Sequence, residues 1–343
     1  MTLRCLQRDA LEYKAPTSNV NSSGIGPRKA TMKLPFTTLD VFTTTPFSGN
    51  PVAVVRVPAS CRDALTEEQK QKIATEFNLS EITFLHEASE GDNGAVADYD
   101  IFTARSRMTF AGHPTIGTAI FVSTTGRPLF PSTHSLRTLA GTIPLAYNPS
   151  TATASVHLPH AVHEHSFRPP HPQSLTSSSS PPTVPIVSIV RGMAFCLVPL
   201  PTLEALAAVD ASLVPVADAY QAKWLDAGSG WDVGFTGSFY YVDLGLDYDD
   251  QRGRRLLRTR SIGTREDPGT GSASAALCCY LALREDKGKG RGPFEFHLVQ
   301  GVEMGRRCDV FVRVVRTEDG GAVEEVVLTG SAVEVMEGVV RVE

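Results

Sequence analysis

A chain of 343 residues, 42% hydrophobic and 20% charged, has apolar material for one large core or two of medium size. Its formal charge of -5, from 32 basic and 37 acidic residues, supplies no basic footprint for nucleic acid or an anionic membrane surface. No apolar run reaches the length of a membrane-spanning helix and the N-terminus lacks the apolar segment of a secretory signal, so a cytoplasmic location is expected.

Residues 1–33 are polar, carry Gly, Ser, Asn and Pro without a period, and are expected to form a flexible extension. Order is expected to begin near Thr37, where Leu39 and Val41 alternate with polar neighbours as in a half-buried strand. The turn PFSGNP at 46–51 leads into a second strand, VAVVRV, at 52–57. Thr66 and Gln69 have capping-box spacing, which predicts a short helix with Ile73 and Phe77 on one face. NLSEITFL at 78–85 reads as loop and then strand, YDIFT at 99–103 as a strand, and AGHPTIGTAIFV at 111–122 as a turn opening a buried helix.

Between Arg168 and Thr183 five Pro, five Ser and two Thr fill 12 of 16 positions, a composition that cannot build a core and predicts a linker or surface insertion. Beyond it the strand-like IVSIV, AFCLVPL and SFYYV alternate with a helical run after Gly271, which makes the class α+β, a mixed α/β chain.

The six cysteines form no C-x-x-C pair and no framework, so free thiols are expected, with Cys278 and Cys279 packed in an apolar stretch. Five of the nine histidines, His157, His160, His163, His165 and His171, cluster before or inside the low-complexity segment, but no cysteine or ordered ligand set accompanies them and no metal is expected. Zinc-protease, phosphate-loop, dinucleotide and nucleophile-elbow patterns are all missing.

The most informative feature is an internal echo. HPTIGTA at 113–119 aligns without gaps to DPGTGSA at 267–273, an offset of 154 that pairs His113 with Asp267 and Gly117 with Gly271. Each copy precedes an apolar helix-like run, so the chain is expected to offer two helix N-termini, each with free N–H groups and the positive end of a helix dipole. Two such termini facing one cleft would seat a carboxylate-bearing small molecule.

Together, LDVFTTTPFSGNPVAVV, NLSEITFL, FAGHPTIGTA, REDPGTGSASAAL and QGVEMG, in that order over about residues 38 to 305, resemble the PhzF-like phenazine-biosynthesis family. The resemblance implies a diaminopimelate epimerase-like fold of two similar lobes, each a curved mixed sheet wrapped around a central helix. On that basis the first lobe is expected over 34–150, a linker over 151–185, the second lobe over 186–330, and a C-terminal strand over 331–343 returning to the first lobe. It also implies a cofactor-independent isomerase that moves a proton and a double bond in a small carboxylic acid, and a homodimer. The acid/base glutamate of the family falls on Glu81, and its histidine, aspartate and serine fall on His113, Asp267 and Ser272. Gly112, Thr118, Thr270 and Gly271 are the expected substrate-binding neighbours. Epimerase relatives carry two cysteines at the duplicated junctions, so His113 and Asp267 argue against a two-thiol racemase. The chain departs from the pattern at Ile82, at Gly269, where alanine is frequent, and at Arg307 and Cys308, where Pro-Ser is usual. A binding protein that keeps the fold without turnover, or a related epimerase or cyclase, are the alternative functions.

Overall fold

The computed structural model describes residues 31–172, 182–248, 250, 252–263 and 265–343. Residues 1–30 of the expected extension and 173–181 of the Ser/Pro-rich segment lie outside the described residues. The first half runs β1 (Met32–Val41), β2 (Asn50–Val57), α1 (Glu67–Phe77), β3 (Ile82–His86), β4 (Val96–Phe102) and β5 (Arg107–Met108). It continues with α2 (Gly112–Ser123), β6 (Ser135–Thr138), β7 (Gly141–Asn148) and β8 (Thr153–His157). The second half comprises β9 (His163–Glu164), β10 (Ile186–Val190), β11 (Gly192–Pro199), α3 (Leu203–Ala207), β12 (Gly234–Leu246) and β13 (Arg255–Ile262). It ends with β14 (Glu266–Asp267), α4 (Gly271–Ala282), β15 (Phe294–Gln300), β16 (Cys308–Arg316) and β17 (Val323–Val342).

Two helices organise the fold. From Gly112 to Val122 every residue of α2 is buried, and so is α4 from Gly271 to Cys279. A helix that is apolar or small on every side has no face to show to water, so it must sit at the centre of a layer of sheet. Around α2 the strands close a ring in the order β1, β2, β3, β4, β6, β7, β8, β17 and back to β1. Around α4 the order is β9, β10, β11, β12, β13, β15, β16, β17. The two helices share one continuous buried cluster.

The long strand β17 belongs to both lobes. Its first part pairs with β16, with Val323 opposite Arg316 and Thr329 opposite Phe311. Its last part, residues 332–342, runs antiparallel to β1, with Val342 opposite Met32. This partner explains why β1 starts at Met32 and not near Thr37. The first residues of β1 are held by a strand some three hundred positions away, which local alternation cannot reveal.

The expected linker is also partly sheet. Within it β8 is paired on both sides, to β7 and to β17, with Ala154 and Val156 fully buried. The ends of the Ser/Pro-rich segment are tied together where Val184 N–H donates to Pro169 O at 2.9 Å. The helix expected after Thr66 is α1, with both arms of the capping box formed. All five described cysteines are free. Among the described residues, no helix is long and apolar enough to cross a membrane.

Candidate active site

The N-termini of α2 and α4 meet. A Cβ on Gly112 would lie 2.9 Å from the Gly271 Cα, and one on Gly271 would lie 3.1 Å from the Gly112 Cα. Only glycine lets these backbones come so close. The N-cap residues, Ala111 and Thr270, make no side-chain cap bond, so the first N–H groups of each helix keep their donor capacity and the positive dipole end. They open on a cavity of about 330 Å³, which Gly112, His113, Gly271 and Ser272 help to line.

This geometry corrects the register of the internal echo. HPTIGTA lies inside α2, whereas DPGT precedes α4. The structural equivalents are therefore Ala111-Gly112-His113 and Thr270-Gly271-Ser272, so His113 corresponds to Ser272 and not to Asp267. The gapless match was drawn to Pro and Gly, but Pro114 sits in the first turn of α2, where its missing N–H costs nothing, while Pro268 sits in the approach to α4.

Glu81 enters from the first lobe. Helix α1 ends at Asn78 in a left-handed cap (φ 50°), and Ser80 and Glu81 then lead into β3 beside the cavity. The Glu81 side chain is 17% exposed, and its Oε2 lies 3.4 Å from His113 Nδ1. Burial, reinforced by the charge of Asp267, pushes its pKa up to about 8. Burial also pulls His113 down to about 3, which keeps its imidazole neutral. Among the described residues, the buried Nε2 of His113 has no hydrogen-bond partner.

Asp267 faces the same cavity from the second lobe, and burial raises its pKa too. Its carboxylate accepts from Asn50 Nδ2 at 2.8 Å and from Thr270 Oγ1 at 2.5 Å. Asn50 also donates to Gly269 O at 2.9 Å and accepts from Ser80 Oγ at 3.4 Å, which connects the residue before Glu81 to Asp267 across the lobes. From below, Gln300 Nε2 donates to Asp267 O at 2.7 Å. Sequence reasoning passed over Asn50 and Gln300, although both stand in the quoted stretches PFSGNP and QGVEMG. An amide is what a buried carboxylate and neighbouring carbonyls need as partner, and that need is invisible until the partners are known.

Of the eight residues expected at the site, seven line the cavity. Thr118 does not. Six residues along α2 from Gly112, it is fully buried and shares a 3.1 Å hydrogen bond with Thr83, so its expected contact with substrate is replaced by a core contact. The departures at Gly269 and Cys308 are one feature: a Cβ on residue 269 would lie 2.6 Å from Cys308 Sγ. The histidine cluster disperses in part, since His157 faces Glu325 and His160 bonds Leu158 O. Contrary to the expectation of no ordered set, His163, His165 and Asp226 bring donor atoms within 4.8 Å of one another. Those atoms are engaged locally: His163 bonds Asp226 at 2.9 Å, and His165 Nδ1 accepts from the Asp226 N–H at 3.2 Å.

A family model described as phenazine biosynthesis-like protein (PhzC-PhzF) matches residues 39–338. A trans-2,3-dihydro-3-hydroxyanthranilate isomerase of Pseudomonas aeruginosa is 30% identical over 304 residues, covering 87% of this chain and 96% of its own. An uncharacterised isomerase of Pasteurella multocida is 31% identical over 284 residues, with 82% and 86% coverage. A phenazine biosynthesis protein of the PhzF family from Bacillus anthracis superposes with a TM-score of 0.67 at 22% identity, covering 90% of this chain and 99% of that one. A hydroxyproline epimerase from Agrobacterium vitis shares the fold at a TM-score of 0.60 and 14% identity, with 90% and 92% coverage. With its two-lobed epimerase-like fold and a family match over most of its length, the chain belongs to the phenazine biosynthesis-like (PhzC-PhzF) family and is an isomerase.

Proposed function

We propose that the enzyme moves a proton and a double bond within a small unsaturated carboxylic acid, and that Glu81 carries the proton. The observation behind this is a buried carboxyl, raised to about 8, at the mouth of two uncapped helix N-termini. A group titrating there has acid and base forms both accessible near neutral pH, as a shuttle requires.

The steps balance without an outside reagent. The Glu81 carboxylate takes a proton from a saturated ring or chain carbon, and the C–H electron pair enters the conjugated system towards the substrate carboxylate. N–H groups of Gly112, His113, Gly271 and Ser272 stabilise the charge that develops there. Glu81 then returns the proton to a different carbon, and the double bond comes to rest one conjugated position away. Neutral His113 orients the Glu81 carboxyl through Nδ1, and Asp267 and Ser272 hold polar groups of the substrate. The P. aeruginosa relative makes trans-2,3-dihydro-3-hydroxyanthranilate a natural first compound to try.

The test is hydrogen exchange in D₂O, read by mass spectrometry, with that compound and a panel of unsaturated hydroxy and amino acids. Deuterium uptake or isomerisation by wild type, lost in Glu81→Gln, is the expected result. Equal turnover in the variant would remove Glu81 from the mechanism.

A further inference from the structure

Most of the described arginines are paired with acids: Arg107 pairs with Glu67 and Asp100, Arg260 with Glu266, and Arg258 with Glu303. Arg105 and Arg265 are exceptions, as Arg127, Arg191, Arg252, Arg316 and Arg341 are elsewhere, and these two stand at the cavity. Both line the cavity, both are exposed, and neither has an ion-pair partner among the described residues. The sole side-chain bond of Arg265 there is a long one, 3.4 Å to Asn78 O. Arg105 comes from the turn between β4 and β5 of the first lobe, and Arg265 from the turn between β13 and β14 of the second. The guanidinium of Arg265 is near enough to act on Glu81, His113 and Asp267 together.

The helix N-termini already supply a seat for one carboxylate at the cavity floor, each with about half a positive charge. Neither Glu81 nor Asp267 comes within ion-pair distance of either guanidinium among the described residues: Glu81 faces His113, and Asp267 is engaged by Asn50 and Thr270. The wall of the cavity also carries an aromatic group: Phe235 packs against Phe195, with ring centroids 6.2 Å apart, and against Tyr220 at 5.5 Å. We propose that the substrate is a dianion: an apolar, ring-sized body with one carboxylate at the helix N-termini and a second anionic group held by Arg105 and Arg265. This rests on the reading of the interlobe cavity as the active site. Guanidinium groups suit that second position because they bind carboxylate or phosphate bidentately and stay charged at every working pH.

Rigid, unreactive probes separate the two claims. Benzoate and the three benzene dicarboxylates would be titrated calorimetrically into the full chain at one salt concentration. Wild type is expected to bind at least one dicarboxylate about tenfold more tightly than benzoate, the worth of one solvent-screened charge-assisted bond. In Arg105→Gln/Arg265→Gln that preference should fall to near unity while benzoate affinity stays within about twofold. Both side chains are exposed, and an unchanged circular dichroism spectrum would establish that the double variant folds. Equal affinities in wild type, or a preference that survives the double substitution, would overturn the dianion inference and leave the active site standing. Failure of benzoate and all three dicarboxylates to bind would overturn the cavity assignment itself, and the dianion with it.

Discussion

Gly269 is the position where geometry makes the sharpest quantitative demand. An alanine methyl there would sit 2.6 Å from Cys308 Sγ, 3.1 Å from Phe42 Cδ2 and 3.3 Å from Asn50 Cβ. The sulfur has nowhere to retreat, being fully buried with Val41 O and Arg306 O 3.8 and 3.7 Å away. Overpacking of this kind costs about 1–3 kcal/mol. Replacing glycine also returns about 0.4–1 kcal/mol by restricting the unfolded chain. Gly269→Ala should therefore lose about 1–2 kcal/mol in urea unfolding with an unchanged m-value. Cys308→Ala alone removes one buried sulfur and should lose about 1 kcal/mol. In the double variant the 2.6 Å contact disappears, so its loss should fall short of the sum of the two by about 1–2 kcal/mol. Additivity within about 0.5 kcal/mol would refute the idea that Gly269 and Cys308 depart from the family pattern as a compensating pair.

The raised pKa of Glu81 has two consequences. The folded protein keeps a proton that the unfolded chain releases above its ordinary value of 4.5, so stability falls as pH rises from there to about 8. Glu81→Gln, neutral throughout, should match the wild-type melting temperature near pH 4.5 and exceed it at pH 9; scans superimposing at pH 9 would contradict the burial argument. If the carboxylate form starts the reaction, kcat/KM should rise with pH around a midpoint near 8, and a profile flat between pH 6 and 9 would exclude this. Asn50→Ala strips Asp267 and Gly269 O of a donor, and should cost about 1–3 kcal/mol in unfolding and at least about tenfold in kcat; unchanged turnover would make the amide a mere structural spacer. Gly112→Ala places a methyl 2.9 Å from the Gly271 Cα, where the obstacle is backbone and cannot rotate away, so a loss of roughly 1–3 kcal/mol in chemical denaturation is expected; wild-type stability would show that the helix ends are not in contact.

What could be read in the sequence followed range. Helix α1 carries its whole signal locally, in Thr66, Gln69 and an apolar face, and it formed as expected. The buried character of α2 and α4 was equally plain from their composition. Motif resemblance brought Glu81, His113, Asp267 and Ser272 to one cavity, although they come from both halves of the chain. Long-range information was missing. The true start of β1 depends on β17, the role of Asn50 depends on Asp267, and the echo was aligned on turn residues instead of on the glycines that touch. Thr118 looked like a site residue because the echo aligned it with Ser272, but on a helix buried all round, six positions from Gly112 carry a side chain into the core.

The shared strand β17 also sets an order of events during synthesis. Residues 332–342, at the end of β17, complete the ring around α2 by pairing with β1, the first strand of the described residues. Until they leave the ribosome, β1 has only β2 beside it and its other edge is bare. The N-terminal lobe is therefore translated first and finished last. A nascent chain stalled before Val323 should expose that edge to chaperones or to other chains, and removal of the final ten residues should unsettle the lobe at the far end of the sequence.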